Sequence, residues 1–294
     1  MVHRKNDPPR GMLVTAVAEP RPRRHERFHP SDDLAAFVEH YWIVEWDRRG
    51  ISPERIEVLT HPSVHMIFER GACRIVGVMR KKCSRLLEGN GRAFSVKFTP
   101  GGFYPFACAP VSSFSNRMVK IHEVFGAEGG ALERRMVSEC ADAPRFALIE
   151  EFLRSRRPEV DEHLPGISEM VYTVARDRTL LRVEDLVVRY GIGKRTLQRL
   201  FAKYVGATPK WVIQRYRLHE AAEQLAAGRR VNQASLALDL GYSDQAHFVR
   251  DFKAIIGISP AAYAKAARDS LASAPSADPA HGAGPAQSAG RHDL

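Results

Sequence analysis

Residues 186–209, "LVVRYGIGKRTLQRLFAKYVGATP", match residues 236–260, "LALDLGYSDQAHFVRDFKAIIGISP", almost element for element. The landmark residues pair at an offset of 50 or 51: Gly191 with Gly241, Phe201 with Phe252, Gly206 with Gly257, and Pro209 with Pro260. Because the offset changes after the first glycine pair, the second copy carries one extra residue, which we place inside its second helix. The duplication indicates that this part of the chain contains two similar substructures.

Each copy has the pattern of a helix-turn-helix unit: a short helix, a turn centred on glycine and a second amphipathic helix. Glycine suits the turn because the chain leaves the first helix with a positive φ angle. Ser243 is predicted to cap the second helix of the second copy, with Asp244 in its first turn, and Gly193 holds the cap position of the first copy. The apolar side chains of the second helices are predicted to face inward: Leu197, Leu200, Phe201, Phe248, Val249 and Phe252.

The segment between the copies, "KWVIQRYRLHEAAEQLAAG" (210–228), has no proline or glycine before Gly228 and consists of strong helix formers. It is predicted to form a long helix that fixes one unit relative to the other. Two units joined in this way could present their second helices to successive major-groove segments on one face of DNA, about 34 Å apart. Arginine and glutamine on the outward faces suit the edges of guanine and adenine, respectively.

The distribution of charge also favours an anionic partner. The 294-residue chain has a net charge of +10 at pH 7, and residues 176–268 alone hold 17 Lys and Arg against 8 Asp and Glu, a net charge of +9. A basic excess confined to one domain is typical of proteins that bind polyanions, most simply nucleic acid.

Residues 165–267 resemble the DNA-binding domain of the AraC-type bacterial transcription regulators, through "GIGKRTLQRLF", "RLHEAAEQL" and "LALDLGYSDQAHFVRDFKAIIGISPAAY". The sequence departs from the family pattern at Gly193, where the family usually has serine. By this resemblance, ten residues meet DNA: Lys194, Arg195, Thr196, Gln198, Arg199, Gln245, Ala246, His247, Arg250 and Lys253. The alternative is that they are solvated surface groups, and Arg250 and Lys253 could equally bind phosphates without reading the sequence.

The predicted fold class is α+β. An N-terminal β-rich domain, a cupin-like barrel or sandwich, precedes a C-terminal all-α domain of two helix-turn-helix units joined by a long helix. Short runs rich in β-branched and aromatic residues predict the strands: "RIEVLTH", "HMIFE", "CRIVGVM" and "FSVKFTP". The predicted segments are a disordered arm over 1–30, the β-rich domain over 31–115, a helical connector over 116–164, the double helix-turn-helix domain over 165–267 and a disordered tail over 268–294. Ser31 is predicted to cap a helix at the start of the β-rich domain.

The front segment resembles domains found ahead of such regulators, through "FVEHYWIVEW", "HMIFE", "RIVGVM" and "VKFTPGGFYPF". Seven residues are candidates for an effector pocket: Tyr41, Trp42, Trp46, His61, His65, Phe98 and Phe103. Each has an alternative interpretation as a core aromatic residue or a hydrogen-bonded histidine. His61 and His65 have the i,i+4 spacing of helical metal ligands, but Pro62 and the strand-like "VHMIFE" argue against a helix, so no metal is predicted.

The chain has four cysteines and no CxxC pair: Cys73, Cys83, Cys108 and Cys140. This spacing favours a reducing cytoplasm over a disulfide framework or a zinc site. Lys81, Lys82 and Arg85 flank Cys83 and could lower the pKa of its thiol if they face it, but an inert cysteine is the favoured interpretation. Since no apolar run has the length of a membrane span or a signal sequence, a cytoplasmic protein without a membrane contact is expected.

Three functions are compatible with these patterns. The first is a sequence-specific transcription regulator with an effector-responsive N-terminal domain; its candidate partners are double-stranded DNA, RNA polymerase, a small-molecule effector and a second copy of the chain. The second is a cupin-like metal-dependent enzyme or a DNA-repair protein that uses the helical domain to reach DNA. The third is a scaffold that binds DNA without regulating. Because no catalytic triad, carboxylate pair or phosphate-binding glycine loop is evident, a non-enzyme without a cofactor is predicted.

Overall fold

The computed structural model describes residues 3–5, 11–13, 24–158, 161–227 and 231–273. Within these ranges the strands are β1 His3–Lys5, β2 Arg24–His29, β3 Val38–Asp47, β4 Glu54–Val58, β5 His65–Glu69, β6 Arg74–Val76, β7 Cys83–Leu87, β8 Asn90–Phe98 and β9 Met118–Val119. The helices are α1 Tyr104–Ala107, α2 Ile121–Ser138, α3 Asp142–Ser155, α4 Leu164–Arg176, α5 Val183–Tyr190, α6 Lys194–Leu200, α7 Pro209–Ala226, α8 Gln233–Asp239, α9 Gln245–Ile256 and α10 Pro260–Ser273. A π-helical turn, Phe201–Val205, continues α6.

The N-terminal domain is built on one antiparallel sheet in the order β1-β2-β3-β8-β5-β6-β9, and β4 pairs separately with β7. At the centre of the sheet, Tyr41 of β3 lies opposite Val96 of β8, and Ile43 lies opposite Phe94. Since alternate side chains of a strand point to opposite faces, these four residues share one face. All four are buried in the same core.

Helices α2 and α3 cover this face of the sheet. Met136 of α2 and Ile149 and Leu153 of α3 are fully buried in the core that the sheet residues form. The prediction that residues 116–164 form a connector between the domains is therefore wrong. The apolar faces of α2 and α3 pack against the sheet, so these helices form a layer of the N-terminal domain. The α+β class is confirmed, but the layer opposite the sheet is helical, and not the second sheet of a sandwich.

The start of this domain also differs from the prediction. The expected disordered arm over 1–30 contains β1 and β2, and β2 pairs along β3 from Arg24 opposite Glu45 to Phe28 opposite Tyr41. Phe28 stabilises this edge because its ring packs 4.8 Å from that of Phe146. The remaining residues of the predicted arm, except 11–13 and Pro30, lie outside the described residues.

The predicted helix capped by Ser31 is a single 3-10 turn, Asp32–Leu34. Ser31 makes no side-chain cap, and its hydroxyl instead donates to Glu150 Oε2 of α3 at 2.7 Å. Consecutive aromatic and β-branched residues then favour the strand β3. At the other end of the chain, α10 continues to Ser273 and so includes the first six residues of the predicted tail over 268–294, because Tyr263 and Ala267 bury its inner face. Residues 274–294 lie outside the described residues.

The C-terminal domain is helical and has two cores, one for each copy of the repeat. The first core joins α4, α5 and α6 with Val212 and Ile213 at the start of α7. The second joins α8, α9 and α10 with Leu218 and Leu225 further along α7. One continuous helix therefore contributes to both cores, which confirms the predicted connecting helix between the two units. No helix among the described residues is long and apolar enough to cross a membrane.

Candidate nucleic-acid interface

Each copy of the repeat folds as two helices around a glycine turn. The first unit is α5 and α6, with Gly191 at φ +63°, and the second is α8 and α9, with Gly241 at φ +78°. Both angles lie in the left-handed region, where a side chain is strained, so these two positions require glycine. We call α6 and α9 the reading helices.

The inward faces of the reading helices are the predicted ones. Leu197 and Phe201 of the first copy are fully buried, as are Phe248 and Phe252 of the second, while Leu200 and Val249 are half-buried. In the second unit, the ring of Phe252 lies 5.7 Å from those of both Phe248 and Tyr263. These buried aromatic contacts fix the orientation of α9 and therefore which of its faces is exposed.

The extra residue of the second copy lies in the turn, and not inside the second helix as predicted. Helix α6 begins at Lys194 and α9 at Gln245, so the offset of 51 already applies at the first residue of each helix. The turn between Gly241 and α9 contains the additional residue. With this register, Arg199 and Arg250 occupy the same position, the sixth residue of their helices.

The cap of α9 is Asp244, and not Ser243. The Asp244 carboxylate accepts a hydrogen bond from the backbone N–H of His247 at 2.7 Å, and Ser243 donates its hydroxyl to Asp244 at 3.1 Å. The insertion in the turn moves the cap by one residue, and both side chains are good caps, so the sequence pattern did not distinguish them. In the first copy, Gly193 is the cap residue, as predicted, and makes no side-chain hydrogen bond.

Replacing Asp244 with alanine should lower the thermal unfolding midpoint of the second unit by a few degrees, whereas Ser243→Ala should change it much less. The hydrogen bond from the His247 N–H lowers the pKa of Asp244. The contribution of this cap is therefore present above the ordinary Asp pKa and is lost as the pH falls through the lowered value. Thermal unfolding followed by circular dichroism at neutral and acidic pH checks this, and a larger loss for Ser243→Ala would contradict the assignment.

The ten predicted DNA contacts lie on the two reading helices, five on each. Nine are exposed and His247 is half-buried: Lys194, Arg195, Thr196, Gln198, Arg199, Gln245, Ala246, His247, Arg250 and Lys253. Two of them have local charged neighbours, because Lys194 Nζ lies 2.7 Å from Glu184 of α5 and His247 Nε2 lies 3.7 Å from Asp251. Within the described ranges, the guanidinium groups of Arg199 and Arg250 make no ion pair, so they are available to an external anion.

The seven predicted pocket residues do not converge on one cavity. Tyr41 and Trp42 are consecutive in β3 and point to opposite faces of the sheet. Phe98 and Phe103 are core residues, since both are fully buried with ring centroids 5.1 Å apart. Trp46 lies at the end of β3, where its indole N–H donates to the carbonyl of Glu88 at 3.2 Å.

The two histidines of the candidate pocket have different surroundings: His61 contacts the C-terminal domain, and His65 of β5 lies opposite Lys97 of β8. The ring of His61 stacks on that of His219 of α7, with centroids 4.1 Å apart and planes 2° apart. Burial, followed by the charge of Arg215, lowers the pKa of His219 to about 3, so it is neutral at pH 7. Burial, followed by the charge of Lys97, likewise lowers the pKa of His65 to about 3. His61 and His219 are interface histidines, and His65 is a half-buried histidine of the sheet.

A cavity of about 520 Å³ lies where the N-terminal domain meets α4. Glu39, Thr99 and Tyr172 line it, and the Tyr172 hydroxyl donates to Glu39 at 3.4 Å. None of the seven candidate residues lines this cavity. Among the described residues, no group of three or more His, Cys, Asp or Glu side chains is placed to hold a metal ion.

Cys83 does not have the reactive surroundings that its basic neighbours suggested. Lys82 points to Glu57 at 2.6 Å, and Arg85 makes a bidentate pair with Glu69. Burial is the main influence on Cys83 and raises the pKa of its thiol. The flanking cations therefore do not lower this pKa, and Cys83 fits the favoured interpretation of an inert cysteine.

The sequence did not reveal the contacts between the two domains. Leu13 and Leu59 from the N-terminal part complete the core of the second unit, and Val78 completes that of the first. Arg215 of α7 is 1% exposed and donates through Nη2 to the carbonyl oxygens of Met79 and Arg80, at 3.2 and 2.6 Å. Arg215 and His219 have the i,i+4 spacing of residues on one helix face. These two polar residues on the connecting helix were the only sign in the sequence that this face contacts another part of the protein.

Two units with exposed basic reading helices, held on a shared helix, define a double helix-turn-helix DNA-binding protein. A helix-turn-helix domain model matches residues 186–266, and a model described as a domain of unknown function (DUF6597) matches residues 26–120. The HTH-type transcriptional activator AarP of Providencia stuartii is 35% identical over 98 residues, which are 33% of this chain and 72% of that protein. The uncharacterized HTH-type transcriptional regulator YfiF of Bacillus subtilis is 27% identical over 146 residues, 48% of this chain and 46% of that protein.

Two solved structures match this chain at low TM-scores. A probable AraC family transcriptional regulator from Rhodopseudomonas palustris has 26% identity and a TM-score of 0.30, and the match covers 34% of this chain and 94% of that one. ToxT from Vibrio cholerae has 10% identity and a TM-score of 0.38, over 79% of this chain and 98% of that one. The assignment rests on the domain match and on AarP: the chain belongs to the AraC-type family and is a DNA-binding transcription regulator.

Proposed function

We propose that this chain reads two successive major-groove segments of one operator, with α6 in the first and α9 in the second. The observation that carries the proposal is the shared helix α7, whose two parts are buried in the cores of the two units. A connection of this kind holds the reading helices at a fixed separation, so they would engage DNA together. Arg199 and Arg250, equivalent and exposed, are the side chains we expect to contribute most.

The ten outward residues have two roles in this proposal. Arginine and glutamine near the start of a reading helix can contact base edges, whereas cations near its end are better placed for phosphates. Lys253, in the last turn of α9, is assigned to the phosphate group, and Gln245, near its beginning, to base reading. The other outward residues would help to hold the two helices in place along the groove.

We also propose that the N-terminal domain, the described residues up to 158, controls the reading domain, residues 161–273. Its support is the buried contact between them, in which Arg215 of α7 donates to backbone carbonyls of the N-terminal domain. A small-molecule effector that favours one arrangement of this contact would change the positions of both units, because α7 belongs to both. The cavity beside Tyr172 is a better candidate for its site than the seven dispersed residues. RNA polymerase and a second copy of the chain stay predicted partners.

The test is selection of duplexes by the full chain from a random-sequence pool, followed by affinity measurements over a range of salt concentrations. We expect a bipartite consensus with its halves one helical turn apart, and a logarithmic salt slope of several units because phosphate contacts release counterions. A pool that shows no enrichment, or a complex that is insensitive to salt, would contradict the proposed function.

A further inference from the structure

The turn between β6 and β7 in the N-terminal domain contacts the end of the second reading helix. We call residues 79–82 the basic turn. Lys82 Nζ donates to the carbonyl oxygen of Ile256, the last residue of α9, at 2.7 Å, and also contacts Glu57 Oε2 at 2.6 Å. The last carbonyls of a helix lack intrahelical donors and carry partial negative charge, so a lysine is well suited to this position.

The backbone of the basic turn also makes hydrogen bonds to side chains of α7 and of the N-terminal domain. Arg215 of α7 donates to the carbonyls of Met79 and Arg80, and the backbone N–H of Arg80 donates to Asn116 Oδ1 at 2.8 Å. The turn is therefore bound to α7, to the end of α9 and to its own domain. Its position relative to the second reading helix is set by hydrogen bonds, and not by the length of a flexible loop.

These contacts use the backbone of the turn and the side chain of Lys82, and they leave two cations outside. Arg80 and Lys81 are both exposed. Across the part of the chain that the structure describes, no carboxylate lies within ion-pair distance of either side chain. Lys253 is exposed in the last turn of α9, the same turn whose final carbonyl Lys82 contacts, so Arg80 and Lys81 lie next in sequence to a residue bound at this end of the reading helix.

We propose that Arg80 and Lys81 bind phosphates of the DNA that flanks the segment read by α9, which makes the N-terminal domain part of the DNA interface. This inference rests on the proposed function. It is supported by charge complementarity with the DNA backbone and by the contact of Lys82 with the end of α9. Since phosphate contacts carry no sequence information, the two side chains would add affinity and orientation without changing the consensus.

Phosphate binding by the basic turn would couple DNA affinity to the docking of the N-terminal domain. The basic turn can reach flanking DNA only while the N-terminal domain is docked on α7 and α9. An effector that loosens this docking would then remove phosphate contacts as well as shift the reading helices. Control of DNA affinity would act through the number of phosphates bound, and it would be visible in the salt dependence of binding.

The experiment compares three full-length proteins: wild type, R80A/K81A and R70A/R134A. The last is a matched control, because Arg70 and Arg134 are exposed arginines of the N-terminal domain outside the basic turn and their loss changes the net charge equally. The probes are the duplex selected by the wild type, the same duplex cut at the edge of the segment read by α9, and a random-sequence duplex.

For R80A/K81A we expect affinity to fall roughly tenfold on the selected and random duplexes, and the logarithmic salt slope to decrease by about 1.8. On the shortened duplex the wild type and R80A/K81A should bind alike. Hydroxyl-radical footprinting should show lost protection only beside the α9 segment. R70A/R134A should match the wild type in salt slope and footprint.

The inference is overturned if R80A/K81A behaves as R70A/R134A does while R199A and R250A still weaken binding, a result that leaves the proposed function standing. Normal DNA binding by R80A/K81A with reduced transcription from the selected site would also overturn it, in favour of a protein partner for the turn. If the wild type selects no sequence at all, the proposed function fails, and this inference fails with it.

Discussion

Replacing Arg199 and Arg250 together with alanine should weaken binding to the selected duplex by about 2–6 kcal/mol, because each substitution alone should cost about 1–3 kcal/mol. The two arginines belong to separate units with separate cores, so their effects should be nearly additive. Both are exposed and occupy the same position in their helices. A large loss therefore comes from direct contact with DNA, and not from unfolding.

The same variants separate base reading from phosphate binding. If Arg199 contacts a guanine edge, R199A should lose discrimination at one base pair and keep most of the salt slope. If Arg250 binds a phosphate, R250A should weaken all duplexes about equally and lower the slope by about 1. Affinities on a set of single-base variants of the selected duplex measure both quantities.

R70A/R134A is again the control, because it removes two positive charges away from the reading helices. It should retain nearly the wild-type affinity at physiological salt, where exposed charges beyond about 8 Å are largely screened. Equal losses in R70A/R134A and R199A/R250A would mean that net charge alone determines affinity, and the assignment of α6 and α9 as reading helices would then be wrong.

The repeat allowed most of the C-terminal domain to be predicted from the sequence. Each helix and each turn is specified by the conformational preferences of its own residues. Because the sequence contains two aligned copies, the same pattern could be recognised in both. The error at Ser243 arose at the point where the copies differ in length. There, two adjacent residues were both acceptable caps locally, and the structure has Asp244 as the residue that caps α9.

The N-terminal site was less predictable for a different reason. Aromatic residues identify strands but do not indicate whether a face is covered by a helix, by another domain or by a ligand. Alternation along β3 already separates Tyr41 from Trp42, so one shared pocket could have been excluded from the strand pattern alone. The docking of the basic turn could not be predicted from the sequence. Arg215 binds backbone carbonyl oxygens, and since every residue has one, the side chains of the turn do not identify it as the partner.

Phe252→Ala should lower the free energy of unfolding of the DNA-binding domain by about 3–5 kcal/mol, the usual cost of truncating a fully buried aromatic side chain. Phe252 is 0% exposed, and its ring contacts those of Phe248 and Tyr263. The loss leaves a cavity between α9 and α10, so α9 would no longer be held firmly against its unit. Val188→Ala is the control: Val188 is 83% exposed, and its truncation should change the free energy by less than about 0.5 kcal/mol.

The substitution should also weaken the docking of the N-terminal domain, because Leu59 belongs to the same core as Phe252. Phe201→Ala gives the comparison, since Phe201 lies in the first core, without Leu59. Denaturant unfolding should show similar losses for the two variants, while hydrogen exchange at residues 57–60 should increase more in Phe252→Ala. If exchange there increases equally in both, the second core does not hold the N-terminal domain more firmly than the first core, to which Val78 contributes.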